Sequence, residues 1–469
     1  MSGIGHKRPR TSEAYFSYLS RSCVDFFTAL FVQCGFMAPR DVLVLSRTCR
    51  TLRLTLFEKI EFWNGTFRFP PCTDQLQLTQ AVCTLPFTGW DFSLCRAEIM
   101  TDQVAFSLAF CQGKRVKHLN LKDKWSLTGK TVKVIIQKCR VLLSLDLRGC
   151  PDIYDGLGDK LHHNTLEKLR LDKDAGPGFD VGHVVSRMPK LKYLELPTDT
   201  QDLNDLPPKL RSLNMTGTDI TDLSPLAGMQ KLQKLKVEDC KSLCPVRKIQ
   251  YLELSVNCIK FKFCELPNLM VLKLWTSSIF DIQLIALKHA PNLKKLAFNH
   301  CKNITNKGVS LITQVEKLEV SKCRRFYFQK RLFNYLIEFS YMPVYVIPIE
   351  LDELCTFASL VELSFNHTFT TGLSLKHHIV YRLAETRLTK LDWCSLTKHS
   401  FVLLNRISTL RELSIKDCSN LQEKDFACLP INLQKLTLNR CSNCTEAGIR
   451  ENLYQLTRLT KLIVTGCYN

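Results

Sequence analysis

Twenty-two cysteines and eleven histidines are a large stock of metal ligands and nucleophiles, and their spacing decides what they can do. Cys441 and Cys444 stand two residues apart, as in half of a zinc site, but Cys441 also falls on a periodic inward position and is claimed by the core. His377 and His378, beside Lys376, have no carboxylate at metal spacing and read as an exposed loop. Gly176-Pro177-Gly178 is a turn rather than a phosphate cradle. There is no G-x-x-x-x-G-K-[ST], no G-x-G-x-x-G after a strand and no H-E-x-x-H. The expectation is a non-catalytic chain with no cofactor and no metal. What remains is the chemistry of charge. Lysine and arginine number 64 against 44 acids, a formal +20, which favours an acidic partner or nucleic acid.

The elements that position these charges follow from one frame, Leu-x-x-Leu-x-Leu-x-x-Cys. It is plainest at Leu142, Leu145, Leu147 and Cys150, and returns at Leu232 to Cys240, Leu293 to Cys301, Leu433 to Cys441 and Leu459 to Cys467. Weaker copies begin at Phe87, Val116, Leu166, Leu191, Leu210, Ile249, Leu269, Val315, Leu360, Leu388 and Leu410, with an irregular one at Leu336. The first three apolar positions alternate as a short strand, and the fourth turns the chain inward where a small thiol packs against the next coil.

This frame resembles the leucine-rich repeat, of cysteine-containing and shorter subtypes mixed. The resemblance implies an α/β solenoid, a horseshoe with a parallel inner sheet of about 17 strands over residues 87–469. Short intervals, such as Leu191 to Leu210, exclude a full convex helix, whereas longer ones leave room for two or three turns. Thr221-Asp222-Leu223-Ser224-Pro225-Leu226 looks like a proline-bearing convex turn, and Asn303 to Val309 like the cysteine-containing subtype.

Eight cysteines (Cys95, Cys150, Cys240, Cys301, Cys323, Cys418, Cys441, Cys467) sit at the inward position, which predicts reduced thiols and a cytoplasmic or nuclear setting. The first twenty residues are polar and basic, and Phe26 to Ala38 is too short to span a bilayer, so no membrane partner is expected. Asn214 and Asn366 head sequons in or beside strands and are expected to stay unglycosylated.

Ahead of the frame, 1–19 reads as a disordered basic tail, 20–70 as a helical domain and 71–469 as the solenoid. Val42, Leu45, Cys49, Leu52 and Leu56 make one helical stripe, Pro39 suits the helix start, and Asp41 suits its dipole. Pro39-Arg40-Asp41-Val42, Leu45-Ser46-x-x-Cys49-Arg50, Leu52-Arg53 and Trp63 resemble the F-box, with Phe26 to Phe31 as its first helix. The resemblance implies docking on a Skp1-like adaptor, and through it a cullin ubiquitin ligase, by Phe31, Pro39, Asp41, Val42, Leu45, Cys49, Leu52 and Trp63. A plain helical cap on the first coil is the alternative.

Within each coil the second, third and fifth frame residues face out from the sheet. They are densely basic from Lys168 to Lys295: Lys168, Arg170, Lys192, Arg211, Lys234, Lys236, Lys273, Lys294 and Lys295, with Tyr193 among them. Tyr251, Trp275 and His118 lie on or beside this face, while Trp393 falls at an inward position. One positive field on the concave face is therefore expected, for an acidic or phosphorylated protein target or for RNA. Two functions follow: the substrate receptor of a cullin ligase, or a basic scaffold in a ribonucleoprotein or other large assembly.

Overall fold

A computed structural model describes residues 64–466, except 70, 72, 157–162, 172–179, 201, 219, 221, 239–246, 256–261, 264, 276, 327–335, 343–358, 366–376, 395, 397, 419–420, 442 and 444. The adaptor-binding residues expected at Phe31 to Trp63 lie outside the described residues. So do Gly176 to Gly178, Cys240, Cys444, Cys467 and Asn366.

The chain divides into two compact units, residues 1–200 with 204–210, and 201–203 with 211–469. The first carries β1 (Thr66–Arg68), β2 (Gly89–Asp91), β3 (His118–Asn120), β4 (Ser144–Asp146), β5 (Lys168–Arg170) and β6 (Tyr193–Glu195). The second carries β7 (Ser212–Met215), β8 (Lys234–Glu238), β9 (Tyr251–Ser255), β10 (Val271–Trp275), β11 (Lys295–Asn299) and β12 (Lys317–Ser321). It continues with β13 (Glu338–Met342), β14 (Glu362–Phe365), β15 (Lys390–Cys394), β16 (Glu412–Lys416), β17 (Lys435–Asn439) and β18 (Lys461–Thr465). Within each unit, successive strands pair in parallel, each in register with the next.

Every copy of the frame yields a strand that opens two residues after its first apolar residue, including the irregular copy at Leu336. Among the described residues one strand more than expected is present. β1 precedes Phe87, and its inward residues are Phe67 and Phe69 rather than leucines. Phe67 lies opposite Trp90 in the ladder, and Phe67, Phe69, Phe87, Trp90 and Phe92 pack together, part stacked and part edge-on, with ring centroids 4.7–6.2 Å apart. Aromatic area supplies here what leucine supplies elsewhere.

The core is the set of inward frame positions. Leu293, Leu296, Phe298 and Cys301 are at most 1% exposed, and Trp393 is buried as expected. Cys95, Cys150, Cys301, Cys323, Cys418 and Cys441 are buried thiols. The Cys150 thiol donates to the Leu121 carbonyl of the preceding coil at 3.1 Å, and burial pushes it up to about 11. Lys124 occupies this column between Cys95 and Cys150, and it too is buried. Its ammonium donates to the carbonyls of Lys122 at 2.9 Å and of Ser93 and Asp123 at 3.4 Å. The residue just before the column adopts a left-handed backbone at Asp123, Gly149, Gly217, His300, Lys322, Asp417, Arg440 and Gly466.

Interval length sets what closes each coil. Long intervals hold α1 (Gln75–Thr84), α2 (Asp102–Gln112) and α3 (Gly129–Lys138), of ten or eleven residues, and then the shorter α4 (Val181–Ser186), of six. Later coils hold only one or two turns, at α5 (Asp281–Leu284), α6 (Asn306–Val309), α7 (His377–Leu383), α8 (Lys398–Leu403) and α9 (Glu446–Glu451). The proline-bearing segment forms a 3-10 turn, Ser224–Gly228. His377 and His378 begin α7 rather than lying in a loop, because the long interval from Leu360 to Leu388 has room for a helix.

Adjacent coils are latched twice. On the connecting side, Asp102 accepts from Thr128 N and Oγ1 at 2.9 and 2.6 Å and from the Thr131 hydroxyl. Asp281 does the same for Thr305 and Glu423 for Thr445. Just ahead of the strands, Thr165, Asn268, Asn292, Ser359, Thr409 and Asn432 each donate to a carbonyl of the coil before, at 2.6–3.1 Å. These bonds satisfy carbonyls that the short strands leave unpaired.

Candidate functional site

Strand alternation turns one side chain in two away from the core, and the register aligns those residues into rows. In the second unit one row reads Lys234, Tyr251, Val271, Lys295, Lys317, Glu338, Glu362, Lys390, Glu412, Lys435 and Lys461. A second begins Lys236, Glu253, Lys273, and a third Glu238, Ser255, Trp275.

Four of the expected partner-binding residues belong to the first unit and six to the second. In the first, Asp146 binds Arg148 at 2.8 Å and Arg170 at 3.0 Å, and both arginines also approach Glu195. Burial alone would raise the Asp146 carboxyl, but the hydrogen bonds from Arg148 and Arg170 outweigh it and hold the group below its ordinary value. Lys192 binds Glu167 at 2.5 Å. Lys168 stands opposite the exposed Tyr193. Burial, then Arg170, lowers its pKa; burial, then Lys117 and Lys168, lowers that of His118.

In the second unit Lys236 pairs with Glu253 at 2.9 Å, Lys294 with Glu316 at 2.8 Å and Lys295 with Glu319 at 2.5 Å. Further along, Lys317 pairs with Glu338, Lys390 with Glu362, Lys416 with Asp392 and Lys435 with Glu412. The broad positive field expected from residue types is thus largely neutralised by cross-strand pairing. Each half-exposed pair contributes about 0–1 kcal/mol, so their effect is on charge and side-chain order more than on stability.

Lys234 and Lys273 behave differently. Their ammoniums lie over the ring of Tyr251, 4.8 and 5.8 Å from its centroid. The Tyr251 hydroxyl donates to Glu253 at 2.6 Å. Burial, then that bond, raises the phenol; on Glu253 burial is outweighed by the bonds from Tyr251 and Lys236, which lower it. Trp275 is 40% exposed on the same strand as Lys273, and Arg211 is exposed beside β8, its carbonyl accepting from Lys234 N at 2.9 Å. Residue types alone could not show which lysines were paired, because the acids lie one coil away and only the register brings them across.

The Leucine Rich repeat family pattern matches residues 289–312, one coil around β11. Together with parallel one-strand coils in both units, this decides the architecture. The chain has the leucine-rich-repeat fold. The chain is 26% identical over 239 residues to a Trypanosoma equiperdum protein provisionally named an adenylate cyclase regulatory protein, covering 50% of this chain and 34% of that one. In the crystal structure of the TLR13–ssRNA13 complex, the similar chain has a TM-score of 0.54 at 15% identity, over 83% of this chain and 64% of that chain. A Leptospira interrogans leucine-rich-repeat protein gives 0.39 at 16% identity, over 75% of this chain and 97% of its own. The chain therefore spans about a third of the Trypanosoma protein. Among the described residues no helix is long and apolar enough to cross a membrane.

Proposed function

We propose that this repeat protein is a non-catalytic recognition subunit that holds a protein partner on its outward strand residues. The observation that carries this reading is the set of charges paired across neighbouring strands, displayed at strand spacing on a buried core. Such a surface offers a protein partner both signs of charge in fixed positions. A polyanion would meet Glu253, Glu316, Glu319, Glu338, Glu362 and Glu412 at like charge, which favours a protein over RNA. The adenylate cyclase regulator among the relatives is compatible with a recognition role.

The F-box-like residues extend the reading: segment 20–70 would hold a Skp1-like adaptor and cullin, and the repeats would bring the target, in the cytoplasm or nucleus. The contribution to rate would be proximity, through the effective concentration of target lysines near the charged enzyme. Affinity purification of wild type and of a Leu45→Asp, Cys49→Asp variant tests both levels. The expected result is adaptor and cullin recovered with wild type and lost from the variant, with other partners kept. Recovery of partners without adaptor or cullin removes the ligase role alone. A wild-type purification with no partner removes both.

A further inference from the structure

The outward face of the second unit is not uniform. From β11 to β17 the row cations are held by carboxylates of neighbouring coils. Across β8, β9 and β10 two cations, Lys234 and Lys273, are instead held over one aromatic ring. A ring face attracts an ammonium weakly and leaves its protons free to donate, whereas an ion pair uses them. Exposed Arg211 adds a third cation at the same end of the unit. Glu253 is already occupied by Lys236 and the Tyr251 hydroxyl, so its charge is spent within the cluster. Arg211, Lys234, Lys236 and Lys273 against Glu238 and Glu253 leave a local excess of positive charge. Beside it Val271 and the half-exposed Trp275 offer apolar area.

From this we propose that the Tyr251 platform is the anchor for an acidic peptide segment of the partner, with carboxylates at Lys234 and Lys273 and an aromatic residue against Trp275. The inference rests on the recognition reading above and names the chemistry of the partner. Charge complementarity selects an acidic segment. Trp275 selects one that also carries a ring, since indole packs on flat apolar groups and is a frequent energetic centre of protein interfaces.

The test is fluorescence anisotropy on the full chain with three labelled probes: a random glutamate–tyrosine copolymer, poly-glutamate and oligo(dT). The copolymer is expected to bind more tightly than poly-glutamate. Lys234→Ser with Lys273→Ser should weaken it about tenfold or more, the loss of two charge-assisted contacts. Lys234→Arg with Lys273→Arg should restore it, which separates charge from folding. Trp275→Ala should bring the copolymer down to the level of poly-glutamate. Lys435→Ser, whose lysine is paired with Glu412, should change binding little. Equal binding by wild type and the double serine variant overturns the proposal, as does an equal loss with Lys435→Ser. Tighter binding of oligo(dT), lost in the same double variant, overturns it in favour of nucleic acid. If the double serine variant still recovers the same partners from cells while wild type ignores the copolymer, this inference falls and the recognition reading stands.

Discussion

Lys124 shows how one residue can break a repeat and be absorbed by it. It stands where the frame places cysteine, and its charge is met by three carbonyls rather than by a bonded carboxylate. Lys124→Met removes the donor and leaves the carbonyls unpaired, so a loss of about 1–3 kcal/mol in urea unfolding at neutral pH is expected. Burial, partly offset by Cys95 and Asp123, lowers the ammonium from its ordinary 10.5. The unfolded chain therefore keeps this proton to higher pH than the folded one. Between the two values the unfolded state binds more protons, and stability rises with pH. The advantage of wild type over Lys124→Met should accordingly grow as pH approaches 10.5; a constant or shrinking difference would contradict the burial of a charged lysine.

At the scale of elements, the connecting segments are tied across coils by acid–threonine latches, and at Asp281 and Glu423 a glycine lies against the acid. A Cβ on Gly308 would lie 2.4 Å from Asp281 Oδ1 and 2.8 Å from Asp281 Cβ. Gly308→Ala should push the carboxylate away from Thr305 and cost about 1–2 kcal/mol, as loss of a helix cap does. Faster hydrogen exchange confined to about residues 303–312 would show it. The strands were legible because Leu and Cys recur at fixed spacing, even at Leu336, where Phe339 and Tyr341 fill the pattern. β1 was not, since Phe67 and Phe69 match neither Leu nor Cys and the stretch offers one short alternation. The latches at Asn268, Asn292 and Asn432 were written in the sequence as an Asn before the first Leu. Their meaning appears only once a carbonyl of the previous coil lies beside them. For the same reason Lys295 read as an open cation until register brought Glu319 to it.

Within each unit the coils behave as a linear array, each resting on its neighbours. Leu296 is fully buried and sits in register between Leu272 and Leu318. Leu296→Ala should cost about 2–5 kcal/mol, yet act locally. Exchange should quicken in β10, β11 and β12 while β2, β3 and β4 keep their protection; uniform acceleration would mean the chain unfolds as one unit. In β18, the last described strand, Leu462 and Val464 are only partly buried, unlike their counterparts upstream, and Tyr454 is 79% exposed.

The left-handed residue ahead of the cysteine column gives the array natural cutting points. His300 and Lys322 have the same φ of 54° at equivalent places one coil apart. Excising residues 301–322 would join His300 directly to Cys323 without shifting the phase of any strand. β11 would then lie beside β13, and Lys295, now without Glu319, would face Glu338, the acid that Lys317 binds in the intact chain. A shortened chain with unchanged strand content by circular dichroism and protected amides at 338–342 is the expected product. Its length would have been edited by one whole unit, as a text loses a line and keeps its metre.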